Sequence, residues 1–269
     1  MQFYRIQPAS ASDLPELSGL RVEMSNVNSM KVLNLFFKRQ TAAPMLALTF
    51  ASAISVGVVF ARIVWTGNLN YGCLIWNLFL AWLPLVFALL ASDHYKDGAR
   101  QTLRFAGFAL AWLLFFPNAP YIFTDLIHLT TRFYMHFWVD LVLILMCAVT
   151  GLVLGFLSLY LMQSVVARMF GRVASWLFIA VATGLGSFGI FLGRFLRFNS
   201  WDVLTKPTKL YHDVGMWTTH PAYYPASFAF PALFAAFLFI AYLMLYALTH
   251  LSPAHHVAAP HTAKAIGTV

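Results

Sequence analysis

Two stretches of the chain carry the residue types that could bind or transform a ligand. The first, residues 115–128, reads FFPNAPYIFTDLIH and closes a long apolar run with two prolines, an asparagine, an aspartate and a histidine. The second, residues 189–202, reads GIFLGRFLRFNSWD and contributes two arginines, an asparagine and an aspartate. Carboxylates and imidazoles can act as acids or bases, and arginines can hold phosphate or carboxylate. The stretches predict a polar site but leave its ligand and its reaction open.

Spacing within each stretch indicates that these side chains share helix faces. Asp125 and His128 are three residues apart, as are Arg194 and Arg197, and residues at that spacing are neighbours on a helix surface. We expect either arginine to pair with Asp125 or with Asp140, so that the four charges form one buried network. Such a network is either a structural clamp or a functional pocket, and both have the same appearance in sequence.

Amide and turn residues complete the predicted site. Asn77 and Asn118 interrupt apolar runs, while Asn199 and Asp202 are typical turn or helix-cap residues. We read residues 199–225 as an outer loop at the membrane surface, which is either an ordinary aromatic-rich loop or one that also covers the site. The candidate ligand-binding residues are Asn77, Asn118, Asp125, His128, Asp140, Arg194, Arg197, Asn199 and Asp202. No catalytic residue can be assigned.

Composition places these residues in a membrane protein. The chain is 61% hydrophobic and only 10% charged, with a mean hydropathy of +0.74, whereas soluble domains carry roughly 25% charged residues. The net charge of +8 comes mainly from basic residues beside apolar runs, which is typical of topology signals and lipid contact. We therefore predict membrane lipid as a partner and no nucleic acid.

Six apolar segments must position the site. They lie at about 42–65, 71–92, 103–123, 137–165, 173–197 and 226–250, each near the ~20 residues that a spanning helix needs. The predicted fold is an all-α polytopic bundle of about six transmembrane helices over residues 42–250. Residues 1–41 and 251–269 are expected to be a disordered polar leader and a disordered tail, both cytoplasmic.

Basic residues in alternate connections predict the orientation. They cluster before the first segment, between the second and third, and between the fourth and fifth: Lys31, Lys38, Arg39, Lys96, Arg100, Arg104, Arg168 and Arg172. Both termini should therefore be cytoplasmic. This topology gathers the candidate residues at the outer face. Pro117 and Pro120 predict a break in the third helix, because each removes a backbone donor.

Glycines and histidines offer weaker signals. The run GLGSFG at 184–189 matches a dinucleotide-binding pattern, but that pattern needs a preceding strand. Gly189 and Gly193, like Gly151 and Gly155, are better interpreted as small-residue packing faces.

A metal shared by His128, His136 and Asp125 is conceivable, but two histidines and a carboxylate without fixed spacing are weak support. We predict no metal and no cofactor.

The phrases FFPNAPYIFTDL and GRFLRFNSWD, with Trp138 and Asp140 between them, resemble the bacterial membrane-protein family filed as domain of unknown function 1361. The resemblance covers roughly residues 70–260. It implies a multi-pass protein of the bacterial cytoplasmic (inner) membrane, and it implies no activity and no catalytic residues.

Three classes of function remain open. The one we favour is a non-catalytic membrane protein that binds a lipid, another amphiphile or a partner in envelope assembly. The second is a membrane enzyme acting on an anionic amphiphile, with Asp125 or His128 as acid or base. The third is a small transporter that uses Asp140 and the arginines. Oligomeric state cannot be predicted.

Overall fold

A computed structural model describes residues 42–67, 69–96, 103–131, 137–219 and 225–249. These residues form α-helices, 3-10 helices and a few turns, with no strand among them. In chain order the elements are α1 (Ala42–Thr66), a 3-10 turn (Leu69–Tyr71), α2 (Gly72–Lys96), α3 (Leu103–Phe115), α4 (Asn118–Tyr121), a 3-10 segment (Ile122–Thr131), α5 (Phe137–Phe170), α6 (Arg172–Arg194), α7 (Asp202–Thr205), α8 (Pro207–Thr219) and α9 (Pro225–Thr249). The predicted leader and tail lie outside the described residues.

Six of these segments are long and apolar enough to cross a membrane: Ala42–Thr66, Gly72–Tyr95, Leu103–Ile127, Phe137–Phe170, Arg172–Arg194 and Phe228–Thr249. The predicted all-α, multi-pass membrane bundle is thereby confirmed. The 34 residues of α5 extend about 51 Å at 1.5 Å per residue, well beyond a hydrocarbon core of about 30 Å.

The fourth span, α5, is the centre of the bundle. It packs against α1, α2, α6 and the 3-10 segment, while α3 packs on α2 and α9 packs on α6. Its mean hydropathy of 2.6 is the highest of the six spans, and it is also the most buried. A helix that is apolar on all sides is expected at such a position, because every face has a helical neighbour or lipid to contact.

The third span is broken, as its prolines predict. The helix α3 ends at Phe115, residues 116–117 form a turn, α4 makes a single turn, and the chain continues as 3-10 helix. Only isolated backbone bonds cross the break, such as the one from the Tyr121 N–H to the Pro117 carbonyl at 3.1 Å. Proline cannot donate such a bond and crowds the preceding turn, which explains where the helix stops.

The predicted glycine faces of α5 and α6 hold this broken segment between them. A methyl group added at Gly151 would lie 2.7 Å from the carbonyl oxygen of Ala119, and one added at Gly189 would lie 2.5 Å from Cγ of Pro117. Both approaches are too close for any larger residue. The glycines therefore admit irregular backbone into the bundle, where protein rather than lipid surrounds it.

Candidate functional site

The centre of the polar site is an ion pair between the 3-10 segment and the end of α6. Arg194 Nη2 lies 2.5 Å from Asp125 Oδ1, and Asn77 Nδ2 of α2 donates to Asp125 Oδ2 at 3.0 Å. The Asp125 residue is only 2% exposed. Of the alternative pairings predicted, the one between Arg194 and Asp125 is found, and three elements of the bundle meet at this carboxylate.

Two residues that the sequence analysis missed complete the surroundings of Arg194. Its Nε and Nη2 both donate to Thr124 Oγ1, at 2.9 and 2.6 Å, and its Cζ lies 4.7 Å from the centroid of the Tyr121 ring. Thr124 in turn donates to the Tyr121 carbonyl at 2.6 Å. Their positions one and four residues before Asp125 were the available signal. Together these contacts hold the guanidinium in one orientation.

Asp140 belongs to a different pair, so the predicted single network of four charges is wrong. Arg62 Nε donates to Asp140 Oδ1 at 2.7 Å and Arg62 Nη2 donates to Asp140 Oδ2 at 3.2 Å. Both residues are buried. The reason is helix packing: the first turn of α5, which carries Asp140, lies beside the end of α1, which carries Arg62. Arg197 makes no ion pair with any described residue.

Aromatic rings cover the rest of the Arg62 guanidinium. Its Cζ lies 5.6 Å from the centroid of Trp65 and 5.9 Å from that of Tyr71. Arg62 Nη1 is buried and has no hydrogen-bond partner in the described part of the chain. Ring faces attract cations, so they offset part of that missing bond.

Asn199 and Asp202 shape the loop that follows α6. The Asn199 backbone N–H donates to Asp202 Oδ2 at 2.8 Å, and the Lys206 ammonium lies 3.1 Å from Asp202 Oδ1. The N–H of Asn199 first, and then Lys206 and the Asn199 amide, lower the pKa of Asp202 despite its burial. Asp202 is thus a structural carboxylate of this loop.

A cavity of about 450 Å³ opens between α2, the broken third span, α6 and this loop. Its polar wall consists of Asn77, Asn118, Tyr121, Arg197, Asn199 and Ser200, and its apolar wall includes Trp76, Leu80, Leu114, Leu185, Phe188 and Leu192. Of the nine candidates, four line the cavity. Asp125 and Arg194 do not line the cavity, but they contact the lining residues Asn77 and Tyr121, respectively. Asp140 is outside this group and is paired with Arg62. The side chain of His128 is outside the described part of the structure.

The backbone at Arg197 is unusual. Its φ is +58°, the one positive value at a described residue other than glycine. Phe198 N–H closes the end of α6 by donating to the Leu192 carbonyl at 3.1 Å. Helix ends commonly contain a residue in this left-handed conformation, but it is usually glycine. Here an arginine occupies it and presents its side chain at the cavity wall.

Asn118 connects the broken span to the loop. Its Nδ2 donates to the Phe115 carbonyl at 3.0 Å and to Ser200 Oγ at 2.9 Å. The first bond satisfies a carbonyl that α3 leaves open where it stops. The second holds the loop over the cavity.

No group of three metal-ligating side chains occurs within the described ranges. His136, the second histidine of the conceivable metal site, is not among the described residues.

Comparison with known protein families gives a match. The family model described as "Protein of unknown function (DUF1361)" matches residues 76–242, which include both polar stretches and every cavity-lining residue but leave out α1 and Arg62. No curated protein matches the chain, and no solved structure matches it. Because the match covers more than half of the chain, this multi-pass membrane protein belongs to the family described as protein of unknown function (DUF1361).

Proposed function

We propose that this protein binds an anionic amphiphile of the bilayer, with the charged head in the cavity beside Arg197 and the tail along the lipid-facing wall. With both termini cytoplasmic, as the basic residues predict, the cavity lies at the outer face of a bacterial cytoplasmic membrane. The observation that carries the proposal is Arg197 itself, a cation at the cavity wall that has no acidic partner among the described residues.

Three other cations near the site already have an acidic partner. Arg194 has Asp125, Arg62 has Asp140, and Lys206 has Asp202. Arg197 follows the end of the Arg172–Arg194 span and is exposed, so its guanidinium is accessible to a ligand at the cavity. A guanidinium presents planar paired donors that match phosphate or carboxylate. An anionic head would give Arg197 the partner that this chain supplies to the other three.

The strained backbone supports a binding role for Arg197. A left-handed conformation costs a non-glycine residue on the order of 1–2 kcal/mol, and glycine at this position would remove that cost. Such strain is found preferentially where a side chain serves ligand binding. An arginine at a position that favours glycine indicates that its side chain contributes something other than stability.

The shape of the cavity suits an amphiphile. Its volume of about 450 Å³ falls within the roughly 300–1,000 Å³ of typical ligand sites. Along α6 the wall runs from Leu185 to Gly193, a rise of about 12 Å. Trp76 and Leu185 are about half exposed, so in a bilayer they contact acyl chains. A polar end and an apolar, lipid-facing end are what a lipid headgroup and its first chain carbons require.

An enzymatic role has less support from the same contacts. The candidate base Asp125 does not line the cavity, and its two oxygens accept from Arg194 and Asn77. In the binding proposal Asp125 holds Arg194, and with it the cavity wall, in place.

The test is lipid binding in nanodiscs. Phosphatidylcholine discs containing a phosphatidylglycerol guest would be compared for the wild type, Arg197→Gln, and Arg172→Gln. The last is the control, since Arg172 is an exposed cation at the other end of the same helix. Losing one charge-assisted interaction should weaken retention of the anionic guest about tenfold or more, and only in Arg197→Gln. Equal retention by all three proteins would refute the proposal.

A further inference from the structure

We infer, on the basis of the proposed function, that the bound head carries hydroxyl groups beside its anionic group, as in a polyol phosphate. Two of the three cavity-lining amides, Asn77 and Asn118, lead to this conclusion. Their hydrogen bonds to the protein fix the orientation of each amide, and in both cases the oxygen remains for a ligand.

The orientation of Asn118 follows from its partners. A backbone carbonyl can only accept, so the group that faces the Phe115 oxygen at 3.0 Å must be the NH₂. The second hydrogen of that NH₂ goes to Ser200 Oγ at 2.9 Å. Both donors of Asn118 are then used. Its Oδ1 has no donor among the described residues and is not sealed in the protein interior, so it is available to the cavity that Asn118 lines.

Asn77 is fixed by the same reasoning. The Asp125 carboxylate is paired with Arg194 and is therefore an acceptor, so the group 3.0 Å from its Oδ2 must be the NH₂ of Asn77. Asn77 also lines the cavity, and its Oδ1 has no hydrogen bond within the described ranges. The polar wall thus offers these two amide oxygens, which only accept, and the Arg197 guanidinium, which only donates. One N–H of Asn77 also remains, and the Tyr121 and Ser200 hydroxyls can donate or accept.

A complementary head must carry anionic oxygens for Arg197 and donors for the two amides. Hydroxyls meet the second requirement without adding positive charge. An ammonium group would also donate, but the charges nearby oppose it. Arg197 lines the cavity, and the Lys209 ammonium lies 5.5 Å from the ring centroid of Phe198, another lining residue. Hydroxyls are therefore the donors that fit.

The test compares two lipids with identical chains and the same single negative charge. Phosphatidylglycerol carries two hydroxyls on its head, and phosphatidylmethanol carries none. In phosphatidylcholine nanodiscs the wild type should retain phosphatidylglycerol about tenfold better, because the second lipid leaves the amide oxygens without donors. Equal retention of the two lipids, with both depending on Arg197, would overturn the hydroxyl inference and leave the proposed function standing. Retention of neither above phosphatidylcholine would overturn both.

Two variants separate recognition from loop closure. Asn118→Ala removes the amide oxygen together with the bond to Ser200. It should bring the ratio of phosphatidylglycerol retention to phosphatidylmethanol retention close to one. Ser200→Ala removes that bond but keeps the oxygen, and it should retain the preference. A preference lost in Ser200→Ala and kept in Asn118→Ala would contradict the assignment. If Asn118→Ala does not fold, the ratio of the two lipids retained by the wild type still tests the hydroxyl inference.

Two further ligands define the head. Phosphatidylethanolamine retained as well as phosphatidylglycerol would show that an ammonium serves equally, which would overturn the choice of hydroxyls. Soluble glycerol phosphate is the other probe. If glycerol phosphate displaces phosphatidylglycerol with an affinity equal to that of the lipid, the polyol phosphate head is supported. The same result would overturn the part of the proposed function that assigns the ligand a lipid tail.

Discussion

Replacing Arg194 with alanine should destabilise the bundle by about 3–5 kcal/mol, because it leaves a buried carboxylate without its cation. The Asp125 side chain is 3% exposed and that of Arg194 16%, so water compensates the loss only slightly. Lys206→Ala is the matched control: it also breaks an aspartate pair, but the Lys206 side chain is 60% exposed. Such a pair contributes about 0–1 kcal/mol.

The assay is reversible unfolding in mixed micelles with an increasing fraction of denaturing detergent, followed by helical circular dichroism. Arg194→Ala and Asp125→Ala would be measured singly and together. The double variant should recover part of the loss, since it no longer buries an unpaired charge. Single variants as stable as the wild type would mean that the buried pair does not exist in the folded protein.

Lipid retention by the same variants separates the two roles of the pair. If the pair is a clamp that keeps the cavity wall in shape, stability and phosphatidylglycerol retention should fall and recover together. If Arg194 also contacts the ligand, the double variant should regain stability but stay unable to retain the lipid.

Two other expectations concern packing and orientation. Gly189→Ala should cost about 1–3 kcal/mol in the same unfolding assay, since its methyl would lie 2.5 Å from a proline ring; Gly184→Ala, with nothing within 4 Å, should be neutral or stabilising by up to about 1 kcal/mol. In intact cells, a cysteine introduced near position 98 should be shielded from an impermeant thiol reagent and one near 209 labelled, and the reverse pattern would overturn the orientation.

Much of the fold follows from sequence because lipid imposes simple rules on it. Apolar length predicts all six spans, and proline chemistry predicts the break near Pro117. The glycine spacing predicts close packing on α5 and α6, although it does not identify the partner. That partner is the broken segment itself, which periodicity cannot show because the segment has no regular period.

Of the two buried ion pairs described above, the sequence predicted one, Arg194 with Asp125, and not the other, Arg62 with Asp140. Spacing within a helix shows which residues share a face, but it does not show which helix lies opposite that face. Arg194 and Asp125 could be paired because both lie at the ends of prominent motifs. Arg62 lies in an otherwise uncharged helix and was not among the candidate residues, and its pairing with Asp140 depends on the packing of α1 against α5.

The cavity could not be predicted as a shape. Asn77, Asn118, Arg197 and Asn199 were identified by residue type, and all four line it. The contribution of Arg197 depends on a left-handed backbone that its residue type does not suggest. The walls depend on how α2 and α6 diverge around the broken span, which is a property of the whole bundle.

The broken third span also has a consequence for how the chain is assembled in the membrane. Its mean hydropathy of 1.4 is the lowest of the six spans, and its open backbone groups are shielded by α5 and α6, which are synthesised later. Unsatisfied backbone is not tolerated against lipid. We therefore expect this span to enter the bilayer fully only after its successors arrive. Glycosylation mapping should show less complete insertion in a chain truncated after residue 131 than in one that continues through residue 194. Biogenesis would then run partly against the order of translation, because the third span would take its final place only after α5 and α6 have been made.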